Sequence, residues 1–289
     1  MLPWYIVDDV ILRALKEDAH YLDLSCEYLF GHERGQAHLL AKGPGVMCGG
    51  EIFVRVFELL GAATEAHVLV KDGGAFDQGD TLLEIAGSVA VLLQGERTAL
   101  NLLQHLCGVA TMTAQAVQAV EGTGSVICDT RKTLPGLRAL QKYAVTCGGG
   151  RNHRFNLSDG VMLKDNHIDA CGSIEQAVRR VRTKIGHMVK IEVETRNPGE
   201  VRQALAAGAD VIMLDNMSVG EMREAVQYVR AHEKSPVPLE ASGDITLENA
   251  REVALAGVDI LSLGALTHSV KAANISMRMR TPRPSATPL

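Results

Sequence analysis

The sequence has no surplus of positive charge: Lys and Arg total 29 against 34 Asp and Glu, a formal net charge of −5. That argues against a general nucleic-acid binder, whose surface is net basic, so any anion site must be a local cationic pocket. No uninterrupted apolar run reaches the ~20 residues of a transmembrane helix, and no membrane partner is expected. The opening MLPWYIVDDVILRALKED carries acids early and lacks the basic-then-apolar order of a secretory signal. The six cysteines (Cys26, Cys48, Cys107, Cys128, Cys147, Cys171) form no C-x-x-C pair and no zinc-like spacing. These absences predict a cytoplasmic protein whose thiols are free and behave as small buried hydrophobes.

What remains is an ordinary globular composition, 46% hydrophobic and 22% charged over 289 residues, enough for one large α/β domain or two smaller ones. The first region begins with a helix expected over Asp8–Asp18. GQAHLLAKGPGVMCGG and EAHVLVKDGGAFDQGDTLLEIAGSVAVLL then alternate short apolar runs with glycine turns, which predicts a small antiparallel sheet. EIFVRVFELLGA between them has helical spacing, and a helix beginning at Gly95 in GERTALNLLQHLCGVATMTAQAVQAVEG is expected to link two domains. From Ser125 the rhythm changes to six apolar runs, SVICDT, GVMLKDN, VKIEVET, ADVIMLDN, VPLEASG and VDILSLG, the later ones separated by amphipathic segments. Such segments open with Ser, Thr or Asn and close with glycine, as capping physics favours. Near-continuous apolar strands alternating with helices describe parallel strands buried on both faces, hence a β/α barrel, complete or nearly so. A doubly wound open sheet is the alternative, weakened because no G-x-G-x-x-G follows the first strand. The tail RMRTPRPSATPL is expected to be disordered.

In a β/α barrel the carboxyl ends of the strands build the active site. Those ends supply Asp129-Thr130-Arg131-Lys132, Lys164-Asp165-Asn166, Glu194, Asp215-Asn216, Ser242-Gly243-Asp244 and Leu263-Gly264-Ala265. Arg131, Lys132, Lys164 and the pair His153-Arg154 are enough cation to hold a polyanion, Arg by bidentate geometry and Lys as a point charge. Glu194 and Asp215 suit sugar hydroxyls or magnesium. The last two ends are small and glycine-bearing, as phosphate sites after the final strands of barrels are. Taken singly, each feature has an ordinary structural reading, a solvated loop, a helix cap or an ion pair; convergence on one mouth is what points to chemistry. KDNH is no metal motif, because its spacing cannot put Lys, Asp and His on one ion.

DTRKTLPGLRALQKYAV, GGGRNHRFNLSDGVMLKDNHI, KIEVE, ADVIMLDN, LEASGDIT and LSLGALTHS, in that order, resemble the quinolinate phosphoribosyltransferase family, and GERTALNLLQHLCGVAT fits it too. The resemblance implies an N-terminal α/β sandwich domain over 1–108, with 270–289 packing back on it or disordered. An open, incomplete β/α barrel over 109–269 follows. It implies transfer of a phosphoribosyl group from phosphoribosyl pyrophosphate to quinolinate with decarboxylation, giving nicotinate mononucleotide in de novo NAD synthesis, with Mg2+ accompanying the donor. It also implies a homodimer in which an arginine, here Arg97, crosses to the neighbour's site. Carried residue by residue, Arg97, Arg131, His153 and Arg154 would grip the two carboxylates; Lys132 and Lys164 would hold phosphates or a carboxylate, with Thr130 beside them. Glu194 and Asp215 would serve the ribose and magnesium, and Lys164, Glu194 and Asp215 would be the catalytic set. Ser242, Gly243, Asp244, Leu263, Gly264 and Ala265 would enclose the 5-phosphate, with His268 close by. Asp244 stands where the family commonly has glycine, and is expected to cap a helix starting near Ile245 rather than touch phosphate. Competing readings are a nicotinate-type phosphoribosyltransferase, a Schiff-base aldolase through Lys164, and a non-catalytic metabolite-binding regulator.

Overall fold

The structure, a computed structural model, describes residues 2–19, 21–61 and 63–280. The chain divides into two compact units: 1–112 with 134–149 and 270–289, and 113–133 with 150–269.

The first unit is built on a four-stranded antiparallel sheet in the order Ile275–Arg280, Arg34–Ala41, Thr81–Ser88, Glu65–Val68. Arg34–Ala41 alternates, burying Ala37, Leu39 and Ala41 while the intervening side chains are exposed or half-buried. That period of two is what one covered face requires. Leu39 pairs with Met277 on one side and Leu83 on the other. The helix Gly50–Leu59 buries Ile52, Phe53, Val56 and Phe57, one apolar stripe, with the two phenylalanine rings edge to face at 5.2 Å. Its start is set by the left-handed Gly49 (φ 92°), and the Asp72 carboxylate accepts from the Gly49 and Gly50 amides at 2.9 and 3.2 Å. Asp72 also accepts from the Tyr143 hydroxyl at 2.7 Å. The first helix runs Trp4–Asp18, one turn longer at its start than expected, and Arg55 of the helix Gly50–Leu59 is tied to its Asp8 by two 2.9 Å hydrogen bonds.

Two expectations are corrected here. After Ser88 the stretch VAVLL is not strand: the helix begins at Val89 and runs unbroken through Gly95 to Ala119. Gly95 does not stop it, because the missing side chain is what lets Phe57 lie 2.7 Å from where a Cβ would be. The start of the tail is ordered too, since Ile275–Arg280 is an edge strand paired with Arg34–Ala41; the remainder, 281–289, lies outside the described residues. All six cysteines are free thiols, four of them buried.

The second unit is a six-stranded parallel sheet. In chain order its strands are Val126–Cys128, Val161–Leu163, Ile191–Thr195, Val211–Asp215, Leu239–Ser242 and Ile260–Ser262, the six apolar runs of the sequence. The last strand pairs back with the first, while among the described residues the first and second strands do not pair, so the barrel is open there. A single parallel bridge, Cys128 to Arg151, extends the first edge. The helices Ile174–Arg182, Pro198–Ala206 and Val219–His232 begin where Ser173, Asn197 and Ser218 accept from the Gln176, Glu200 and Glu221 amides. Such caps contribute about 1 kcal/mol each. Their helices hold successive strands in register, so the strand ends lie side by side: Glu194 beside Met213, and Asp215 beside Ser242.

Candidate active site

The carboxyl ends of these six strands surround one cavity of about 890 Å3, within the range of sites that enclose small molecules. Thr130, Arg131, Lys132, His153, Arg154, Lys164, Glu194, Asp215, Ser242, Gly243, Asp244, Gly264, Ala265 and His268 all line it. Of the other two sequence-predicted residues, Leu263 is buried at the strand end behind Gly264 and is not part of the lining. Arg97 is exposed on the long helix of the first unit.

The cations are placed by local bonds. The Lys132 amide donates to Thr130 Oγ1 at 3.0 Å, and Thr267 Oγ1 donates to the Lys132 carbonyl at 2.8 Å. The fully buried Asp129 accepts from the His153 amide at 2.8 Å, tying the loop of His153 and Arg154 to the end of the first strand. Arg154 donates through Nη1 to the Gly160 carbonyl at 2.7 Å. Burial, and then the neighbouring Arg131 guanidinium, hold the Arg154 pKa below its ordinary value, while Glu192 opposes the shift. Two guanidiniums pressed together in this way gain when an anion binds between them.

His153 sits differently from the other basic residues. Its Nδ1 accepts the Arg154 amide at 2.7 Å and its Nε2 lies 3.0 Å from Glu192 Oε2. With Nδ1 accepting, Nε2–H is the donor to Glu192. Both nitrogens are therefore engaged by protein groups, while the ring still lines the cavity.

Lys164 and Glu194 form an ion pair across neighbouring strands. A Schiff-base lysine is desolvated or set beside another cation, whereas Lys164 is half exposed beside a carboxylate. His167 Nδ1 accepts the Lys164 amide at 3.0 Å, so the histidine of KDNH locks the turn into the helix Asp165–Cys171. Asp215 accepts from Asn216 Nδ2 at 3.0 Å. Glu194 and Asp215 thus bring two oxygen-donor carboxylates to one wall, a donor set that fits a hard divalent cation.

The ends of the fifth and sixth strands are small. Gly243 has φ 94°, and a Cβ there would lie 2.1 Å from Asn216 Oδ1, so only glycine fits. Asp244 follows in the left-handed region at φ 45°, which Asp tolerates better than most residues. It does not cap a helix as expected: the next helix starts at Ala250 with Asn249 before it, and Asn249 Nδ2 donates to the Asp244 carbonyl at 3.0 Å. At Gly264 a Cβ would meet Lys132 Cδ at 3.0 Å and His268 Nε2 at 3.1 Å, so both basic side chains close over this glycine.

Residue-by-residue reading of the sequence missed Met162, Met213, Glu240, Ile245, Thr246 and Ser262 in the lining, and Glu192 close by it. Period two was a usable signal for Glu192, because it shares a strand face with Glu194.

The family model of the quinolinate phosphoribosyl transferase C-terminal domain matches residues 109–278, and that of the N-terminal domain matches 23–107. The chain belongs to the quinolinate phosphoribosyltransferase family. It is 47% identical over 261 residues to a probable nicotinate-nucleotide pyrophosphorylase [carboxylating] of Bacillus subtilis, covering 90% of this chain and 89% of that one. It is 42% identical over 274 residues to the nicotinate-nucleotide pyrophosphorylase [carboxylating] of Mycobacterium leprae, covering 93% and 95%. The crystal structure of NadC from Streptococcus pyogenes superposes with a TM-score of 0.91 at 42% identity, covering 96% of this chain and 97% of that one. As in other members of this phosphoribosyltransferase family, the chemistry is pentosyl transfer in pyridine nucleotide synthesis. No described helix is long and apolar enough to cross a membrane.

Proposed function

We propose that the chain transfers the 5-phosphoribosyl group of phosphoribosyl pyrophosphate to the ring nitrogen of quinolinate, releasing pyrophosphate and the 2-carboxylate as CO2, and leaving nicotinate mononucleotide. The observation that carries this reading is one cavity lined by three kinds of group: the cations Arg131, Arg154 and Lys164, the carboxylates Glu194 and Asp215, and the glycine-bearing strand ends Ser242-Gly243 and Gly264-Ala265.

Each part has a task in a dissociative glycosyl transfer, where orientation and fixed charge supply most of the acceleration. The guanidiniums and Lys164 hold the two carboxylates and aim the ring nitrogen at ribose C1. Glu194 and Asp215 accept from the ribose hydroxyls and offset positive charge developing at C1. Backbone amides about Gly243 and Gly264, with Lys132 and His268, receive the 5-phosphate; Asp244 takes part through its backbone. Glu194 and Asp215 would hold a magnesium ion brought by the donor, whose charge would neutralise the pyrophosphate. Once the nitrogen is ribosylated the pyridinium draws electrons from the ring, and the 2-carboxylate leaves as CO2 with its bonding pair returned to C2 and then protonated. No nucleophilic side chain is required.

Arg97 joins this reading through a homodimer in which it reaches the neighbour's cavity. Arg97→Ala should inactivate, and mixing it with an Arg131→Ala subunit should restore part of the activity, since one hybrid site is then intact; no recovery in any mixture rejects the shared site. For the reaction itself, pyrophosphate release should require quinolinate, with nicotinate a poor substitute and weak competitor. Equal turnover of nicotinate would favour the nicotinate-type transferase, and tight binding of both substrates without release would favour a regulator.

A further inference from the structure

Beneath the cations lies a buried trio to which the proposed reaction gives no task. Glu192, on the third strand, is 6% exposed and Glu240, on the fifth, 2% exposed. Both carboxylates converge on one N–H: His153 Nε2 stands 3.0 Å from Glu192 Oε2 and 3.6 Å from Glu240 Oε2. Ser262 Oγ donates to Glu240 Oε1 at 2.6 Å, which fixes that side chain from the last strand. Glu192 Oε1 is buried without a hydrogen-bond partner. An acceptor left unsatisfied in the interior costs free energy, so the fold retains these groups against stability.

The far side of the same ring shows what they serve. His153 Nδ1 accepts the amide of Arg154, and the charge of Glu192 supports the Arg154 guanidinium. A ring hydrogen-bonded at Nε2 to Glu192, with Glu240 packed beside that pair, thus fixes the main chain from which Arg154 projects. We infer that Glu192 and Glu240 are positioning residues which, through His153, set the placement of Arg154 and thereby the affinity for the pyridine dicarboxylate. This inference rests on the quinolinate reading above.

The test is steady-state kinetics of the full chain, varying quinolinate at saturating phosphoribosyl pyrophosphate and the reverse. Glu192→Gln keeps volume and removes charge; it should raise the KM for quinolinate about 10-fold, roughly one 1.4 kcal/mol step, and leave the donor KM and melting temperature nearly unchanged. Glu240→Gln should act in the same direction by about 3-fold, and carries the same readout if Glu192→Gln fails to fold. His153→Asn keeps an acceptor for the Arg154 amide but severs the ring from the acids, so adding Glu192→Gln to it should change little, by about 2-fold or less. An equal rise in both KM values, an unchanged quinolinate KM, or a full Glu192→Gln effect in the His153→Asn background would overturn the inference. Each of these is read in an enzyme that still consumes quinolinate. A wild-type chain that releases no pyrophosphate from quinolinate overturns the functional reading and this inference with it.

Discussion

In the first unit the sheet buries Ala37, Leu39 and Ala41 on one strand and Leu82, Leu83 and Ile85 on another, and the helix over Gly50–Leu59 adds two phenylalanines. In the second unit the parallel sheet buries the same kinds of residue but also Asp129, Glu192 and Glu240, which are all the buried carboxylates among the described residues. Two sheets in one chain therefore follow different rules. An interior assembled for stability alone has no reason to desolvate three acids, because an ionised carboxylate away from water is costly unless it is paired. Here the acids lie on or just after strands that surround the cavity: Asp129 anchors the loop of His153, Glu192 accepts from its ring, and Glu240 packs beside that ring.

The comparison breaks first if cations of the second unit can be removed without harm. Arg131→Ala or Arg154→Ala should lower kcat/KM for quinolinate at least about 30-fold, since truncating one partner of a buried charge pair costs about 2–5 kcal/mol. The KM for the phosphoribosyl donor should move only about 3-fold, the difference in ΔΔG that separates a local from a general effect. Steady-state kinetics with each substrate varied gives both numbers. In the first unit Leu39→Ala should cost about 2–5 kcal/mol of stability, read from denaturant unfolding, without changing the quinolinate KM of the folded protein.

The smallest effect concerns Glu240, whose carboxyl is pushed up to about 7 by burial and then by the adjacent Glu192. Between its ordinary value of 4.5 and about 7 the folded chain keeps a proton that the unfolded chain has released. The folded state binds more protons in this window, so this group makes stability fall as pH rises through it, with the loss complete above about 7. Glu240→Gln should flatten that slope in melting temperature measured across the window. An unaltered slope would mean that the proton resides elsewhere.

Much of this arrangement was legible in the sequence, and the physical reason is periodicity. Parallel strands covered on both faces read as apolar runs, and the side chains Arg131, Lys164, Glu194 and Asp215 stand at or within a few residues of the point where each run stops. Caps at Ser173, Asn197 and Ser218 marked the following helices. Elements whose fate is decided by distant partners were not legible. SVAVLL suits strand or helix, and Gly95 breaks nothing because Phe57 fills the space beside it. Arg278–Arg280 reads as the start of a polar tail until Arg34–Ala41 offers the strand Ile275–Arg280 an edge. Asp244 looks like a cap by composition, yet its backbone conformation is fixed by the turn after Gly243. Glu192 and Glu240 were hidden by their setting within apolar runs, where only the side-chain alternation of a strand tells an inward acid from an outward one.

The account rests on a single cavity at the ends of parallel strands that takes both a phosphoribosyl donor and a pyridine bearing two carboxylates. A single-turnover reaction with quinolinate labelled in its 2-carboxylate tests it most directly. The expected result is one labelled CO2 for each pyrophosphate, with neither formed when the donor is omitted. Pyrophosphate release with the label still on the ring, or labelled CO2 without pyrophosphate, would contradict it.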